Sequence, residues 1–375
     1  MRADALGTRA DAMKIAVMHD YFTQLGGAEK VAEELYNMLP GADLFATVAF
    51  KKSMPETLRN VLVRTSWMQN MPKVGKFYRL YFPLYPLAVS SIDLSAYELV
   101  VSSSSGYAKG VRANPHAIHV CYCHTPMRWV WAFDSYSSRE SFGRLTRIIL
   151  PTLIQALRLW DERAARQPDH FVANSKAVAL RIESAYGRFA EVIAPPIDIH
   201  RFRPSTEQHD NYLVLARLVP YKRIDLAVSA CTQMGKHLIV IGSGPALEML
   251  KSCAGPTVRF LGRASDEEVE YYVSRCRALI FPGEEDFGMA PLEVAAAGRP
   301  TIAFRAGGAL ETIVEGETGL FFDDQTTEAL VNAIERFEQR AWSPQQIRSH
   351  AEGFSTEVFQ ARFAAFLGRI GAPID

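Results

Sequence analysis

Two glutamates eight positions apart, Glu285 and Glu293, bracket the run Glu285-Asp286-Phe287-Gly288-Met289-Ala290-Pro291-Leu292-Glu293. Pro291 suits the first turn of a helix, so the amides near Gly288–Leu292 would point outward as a cradle for an anion or a hydroxyl. Glu285, ahead of that helix, has the chemistry to bind sugar hydroxyls or to face a developing positive charge. Glu293, inside the first turn, has the reach for a ribose diol; its plainer reading is a carboxylate placed to suit the helix dipole. Upstream, Arg217 and Lys222 lie in Arg217-Leu-Val-Pro-Tyr-Lys222-Arg223. Two cations on one loop can neutralise an anionic group as it departs, although stray cations on a solvated loop would look the same. His124 ends the run Ile118–Cys123. A lone histidine is more often structural, but a strand end facing a cleft favours function. With Cys121 and Cys123 it is too crowded for a zinc set. Trp129 and Trp131 fit either an acceptor cleft or a core.

These residues need a frame. Lys14–Met18 reads as a short strand, followed by His19–Leu25, Gly26-Gly27 and a helical pattern from about Ala28 to Leu39. Strand, glycine loop and helix open a βα unit. Further strands are expected at Leu44–Val48, Leu99–Ser102, Ile118–Cys123 and Phe171–Ala173. A long helix is expected over Leu145–Arg166, and another over Lys176–Tyr186 with Ser175 as its N-cap. Pro195-Pro196 and Phe202-Arg-Pro204 make a stiff break. Strands at Tyr212–Ala216, His237–Ile241, Val258–Leu261, Ala278–Pro282 and Thr301–Phe304 then alternate with helices at Ile224–Gln233, Asp266–Cys276, Pro291–Ala297 and Ala309–Val314. Such alternation predicts two α/β domains, each a parallel sheet covered on both faces, with ligand in a cleft beyond the strands' carboxyl ends. The boundaries read as a disordered leader over 1–12, a first domain over 13–195, a second over 196–345, and a helical segment over 346–375 crossing back to the first.

Composition narrows the classes. The 375 residues are 48% hydrophobic, which excludes low-complexity disorder. Lys+Arg 41 against Asp+Glu 41 gives net charge +0, against a dedicated nucleic-acid binder. That balance hides a split: residues 1–190 hold 23 Lys/Arg and 16 Asp/Glu, and the rest 18 and 25. The halves are expected to face different partners. Five cysteines make no disulfide framework, and Cys231, Cys253 and Cys276 read as buried thiols, which fits a reducing cytoplasm. Residues 1–12 lack the apolar core of a signal peptide and read as a leader or as an upstream start before Met13.

The run from Glu285 to Glu293 resembles the E-x7-E signature of family 4 retaining glycosyltransferases, which have the GT-B fold of two Rossmann-like domains facing across a cleft. The similarity continues in order over nearly all of residues 13–340. It implies that Arg217 and Lys222 hold a donor diphosphate. It implies too that Gly26-Gly27 admits the phosphate or the transferred sugar, and that His124 lies beside that sugar, contacting a hydroxyl and supporting reaction through its backbone carbonyl. Gly262-Arg263 resembles the turn touching the nucleotide base. Asp286, Phe287, Gly288, Met289 and Ala290 would line the donor pocket, with Glu285 on the sugar ring and Glu293 on the ribose. The family more often has Gly where Asp286 stands, which adds a carboxylate beside the sugar. Gly242-x-Gly244-Pro245 lacks the third glycine of a dinucleotide fingerprint, Leu247 holding that place. Gly307-Gly308-x-x-Glu311 and Gly319-Leu-Phe-Phe complete the family pattern.

The GEEDFG and HVCYCHTPMR stretches are most similar to bacterial mannosyltransferases of O-antigen or exopolysaccharide assembly. The resemblance implies GDP-mannose as donor, a lipid-linked saccharide as acceptor, and a front-face reaction with retention. A UDP- or ADP-sugar is the alternative donor; a GT-B epimerase and a non-catalytic sugar-nucleotide-binding protein are the rival classes. No D-x-D occurs, so neither metal nor cofactor is expected. Lys73–Leu87 mixes cations with aromatics, and Arg144, Arg147 and Arg158 punctuate the helix beyond. Both suit an anionic membrane surface, or else an ordinary packed core.

Overall fold

The computed structural model describes residues 13–131, 144–372 and 374, with side chains from residue 150 onward in the second span. The leader over 1–12 and the side chains of Arg144 and Arg147 lie outside the described residues.

The first sheet has strands β1 (Ile15–His19), β2 (Asp43–Ala46), β3 (Val63–Thr65), β4 (Leu99–Ser104), β5 (Ile118–Cys123), β6 (His170–Ala173) and β7 (Ala190–Val192). Their spatial order is β3-β2-β1-β4-β5-β6-β7, all parallel. The second has β8 (Asn211–Leu215), β9 (His237–Ile241), β10 (Val258–Gly262), β11 (Ala278–Phe281), β12 (Thr301–Phe304) and β13 (Gly319–Phe322), in the order β10-β9-β8-β11-β12-β13. Both are doubly wound, with the direction of winding reversing beside the first strand; loops part there and leave a crevice.

Strand sequence explains the layering. Successive side chains of β1 alternate between faces: Ile15 and Val17 enter one core, Ala16 and Met18 the other. Tyr212 and Val214 of β8 likewise oppose Leu213. Both faces are covered, so the strands are continuous apolar runs.

Among the described residues, the chain passes between the domains twice. Ile197 donates its amide to the Phe354 carbonyl at 2.9 Å, so the two crossings lie side by side. After the second, helix Thr356–Arg369 sets Phe359, Phe363, Phe366 and Leu367 into the core of the first sheet with Ile15, Val17 and Tyr122.

Helix Lys176–Tyr186 starts on Ser175, whose Oγ accepts from the Val178 amide at 3.1 Å. Cys121, Cys123, Cys231 and Cys276 are buried, but Cys253 is exposed. The expectation for Cys253 fails because the short helix Leu247–Ser252 ends there on the surface. Trp129 packs edge-on against Phe82, and Trp131 donates to Asp161 at 2.8 Å, which places both rings in the fabric of the first domain.

Candidate active site

The carboxyl ends of β8 and β11 bring the charged motifs of the second domain together. Lys222 follows β8 in the short turn Pro220–Lys222, and Glu285 follows β11; their side chains form an ion pair, each less than one-fifth exposed. They line a small recess with Leu215, Ala216, Pro282 and Gly283. The turn is anchored by Arg223, a non-glycine residue at φ 51°, whose guanidinium pairs with Asp225 at 3.0 Å. Arg217 is exposed and reaches Gln24 Oε1 of the first domain at 3.4 Å.

Gly307-Gly308 lies against the same loop. A Cβ on Gly308 would meet the Phe287 Cα at 2.2 Å, so only glycine lets the two backbones touch. Gly308 also donates its amide to the Glu285 carbonyl at 2.9 Å. Phe287 is 4% exposed and packs with Ile197 and Leu292. Its ring therefore lies in the core beneath the loop. Gly288 is the N-cap of helix Met289–Ala296, which carries Ala290, Pro291 and Glu293 in its first turns. Gly262 ends β10 and Arg263 beyond it is exposed, away from the Lys222–Glu285 pair along the sheet edge.

The first domain faces these groups with the ends of β1, β4 and β5. A Cβ on Gly27 would lie 2.6 Å from the Met289 Sδ, so the glycine loop makes room for the opposite domain. Lys30 Nζ reaches Glu293 Oε1 at 3.4 Å. His124 Nε2 lies 2.8 Å from Ser103 Oγ, which lies 3.1 Å from His19 Nδ1. Burial, with His19 alongside, pushes His124 down to about 3, and burial pushes His19 down to about 4. Both rings are neutral at neutral pH, so neither presents a positive charge there. Its carbonyl accepts from Asn174 Nδ2 at 3.0 Å.

Sequence reasoning missed two carboxyls here. Asp20, directly after β1, accepts from the amides of Ser105 at 2.6 Å, Tyr107 at 2.8 Å and Ala108 at 2.6 Å, tying the β4 loop to the β1 loop. Glu29 is 3% exposed beside Gly26, and burial lifts it to about 7. The signal for both was their place after β1 and after the glycine pair. Among the described residues, no three His, Cys, Asp or Glu side chains gather to hold a metal ion.

Residues 25–201 match the family model described as Glycosyltransferase Family 4, and residues 197–353 that described as Glycosyl transferases group 1. Together with the paired doubly wound sheets, these matches define the class: a glycosyltransferase of GT-B fold. Among particular proteins, the chain is 31% identical over 186 residues to a GDP-mannose-dependent alpha-(1-6)-phosphatidylinositol monomannoside mannosyltransferase of Mycobacterium tuberculosis. That alignment covers 41% of this chain and 48% of the relative, so the chain spans about half the relative's length. An uncharacterized glycosyltransferase of Methanocaldococcus jannaschii is 27% identical over 333 residues, 86% of this chain and 87% of that one. Anabaena HepE, solved in complex with UDP, shares the fold with a TM-score of 0.71 at 19% identity, over 95% of this chain and 100% of that one.

Proposed function

We propose that the chain transfers a hexose with retention of configuration, mannose from GDP-mannose, onto a lipid-linked saccharide in surface-polysaccharide assembly. The observation that carries the proposal is the Lys222–Glu285 pair, set at the carboxyl ends of β8 and β11 with the glycine loop packed on Met289 across the cleft. In this reading Arg217 and Lys222 neutralise the diphosphate as the C1–oxygen bond breaks and its electron pair leaves with the phosphate. Glu285 holds the sugar ring, Glu293 the ribose, and Gly262-Arg263 the base. His124 contacts the sugar. The acceptor hydroxyl attacks the face that the diphosphate leaves and passes its proton to the departing phosphate oxygen, with no covalent intermediate on the protein. The mannosyl donor is supported by the name of the mycobacterial relative. A UDP-sugar is the second reading, supported by the UDP in the Anabaena structure.

Transfer of labelled mannose to a bacterial lipid extract tests this. Lys222→Ala and Glu285→Ala should each reduce turnover on the order of 100-fold or more. Variants as fast as wild type would reject the site. A thermal-shift series separates the donors: GDP-mannose should stabilise more than UDP- or ADP-sugars, and a larger UDP-sugar effect would favour the second reading.

An anionic membrane surface on the cytoplasmic side would supply the acceptor. Leu80 and Leu87 are 69% and 64% exposed, and Lys73, Lys76 and Arg79 beside them are exposed too. Among the described residues no helix is long and apolar enough to cross a membrane. Flotation with phosphatidylglycerol vesicles at low salt checks the surface, and absence of binding would sink it.

A further inference from the structure

Arg128 stands four residues beyond His124, in the short helix Arg128–Trp131 of the first domain, yet among the described residues its ion pair and its ring contact are in the second. Its guanidinium lies 2.5 Å from Asp286 Oδ1 and 5.1 Å from the centre of the Tyr221 ring. Tyr221 immediately precedes Lys222, and Asp286 immediately follows Glu285. One cation therefore grips both loops that carry the ion pair, from the far side of the cleft.

We infer that Arg128 is a positioning residue for the transfer, closing the domains through Asp286 and Tyr221 and so setting Lys222 against Glu285. The inference rests on the transferase reading above. Asp286 is also paired with Arg181, which holds Glu284 at 2.9 Å. The Asp286 carbonyl accepts from Ser175 Oγ at 2.6 Å. The carboxylate of Glu311 accepts from the Lys176 amide at 2.9 Å. The carboxylate of Asp286 is thus committed to the first domain, which gives it work other than reading a sugar hydroxyl. Arg128 and Asp286 are each about a quarter exposed, so water screens them less than a surface pair. A planar guanidinium can pair with a carboxylate edge-on while its face covers an aromatic ring; an ammonium cannot do both.

The test combines kinetics with a distance. Spin labels on Leu62→Cys and Met249→Cys, in a Cys253→Ser background, report the separation of the domains. Arg128→Ala should broaden that distance distribution with and without GDP. It should also lower kcat on the order of 10-fold to 100-fold, with the donor KM changed less than about threefold. Asp286→Ala should match it, and the double variant should be no worse than the worse single one. Arg128→Lys, which keeps the charge and guards against a folding defect, should recover only part of the rate. Multiplying single effects, a raised donor KM with normal kcat, full activity in Arg128→Lys, or an unchanged distance distribution would each overturn the inference. If wild type transfers no sugar at all, the transferase reading fails, while the distance measurement still decides whether Arg128 closes the domains.

Discussion

Glu29 offers a quantitative check on the buried chemistry beside the glycine loop. It opens helix Gly27–Asn37 from within the domain, 3% exposed, with its carboxyl against Gly26. Burial is the main cause that lifts it from 4.5 to about 7, opposed by local amides and by Arg217 and reinforced by Asp20. Because the folded value is the higher one, the folded chain binds the extra proton. The associated stability is fully present below about 4.5 and is lost as pH rises through about 7. A rise of this size corresponds to about 3 kcal/mol, of which about 2 falls between pH 5.5 and 8.5. Glu29→Gln removes the titration while keeping the shape. Denaturant unfolding of wild type and variant across that range should show the variant gaining about 2 kcal/mol on wild type as pH rises. The neutral buried histidines act in the opposite direction in acid but cancel in the difference. Parallel stability curves would refute the reasoning. A diphosphate bound nearby would further favour the protonated acid, so GDP binding at pH 8 should take up protons, readable as a buffer-dependent calorimetric enthalpy.

Three further outcomes follow from the same geometry. His19, His119 and His124 are held neutral by burial, with His19 and His119 pushed down to about 4 and His124 to about 3. Their stability is present above about 6.5 and is lost as pH falls through those folded values; replacing His119 with Gln should lessen acid unfolding, measured by circular dichroism. Lys109 and Asp161 form a buried pair at 2.5 Å, about 1% and 0% exposed, with Trp131 and Tyr186 also donating to Asp161. Lys109→Met should cost about 3–5 kcal/mol by leaving the carboxylate unpaired, and an unfolding midpoint within a degree of wild type would contradict this. On the proposed roles of Arg217 and Lys222 as the source of positive charge, turnover should survive EDTA; loss restored only by magnesium or manganese would overturn that assignment.

Much of the fold was legible because it is written locally. Apolar runs between glycine loops and helical periods mark the long central strands, and Ile118–Cys123, His237–Ile241 and Thr301–Phe304 agree residue for residue with expectation. The edge strands Val63–Thr65 and Ala190–Val192 were not, since three residues paired on one side need no distinctive pattern. At the site, residue types at strand ends could be read, but their neighbours could not. Asp286 reads as an added carboxylate next to Glu285, but its pairing with Arg128 and Arg181, 158 and 105 residues away, has no mark in the sequence.

The charge split between the halves of the chain is a property of the sequence itself, as are the order of βα units, the glycine pair and the spacing of Glu285 and Glu293. The meeting of Lys222 with Glu285, of Gly27 with Met289 and of Arg128 with both loops of the second domain was decided only in three dimensions. The reason is physical. Backbone preference and hydrophobic period act over a few residues, whereas a carboxylate's charge acts on whatever the packed sheets bring within a few ångströms, however distant along the chain.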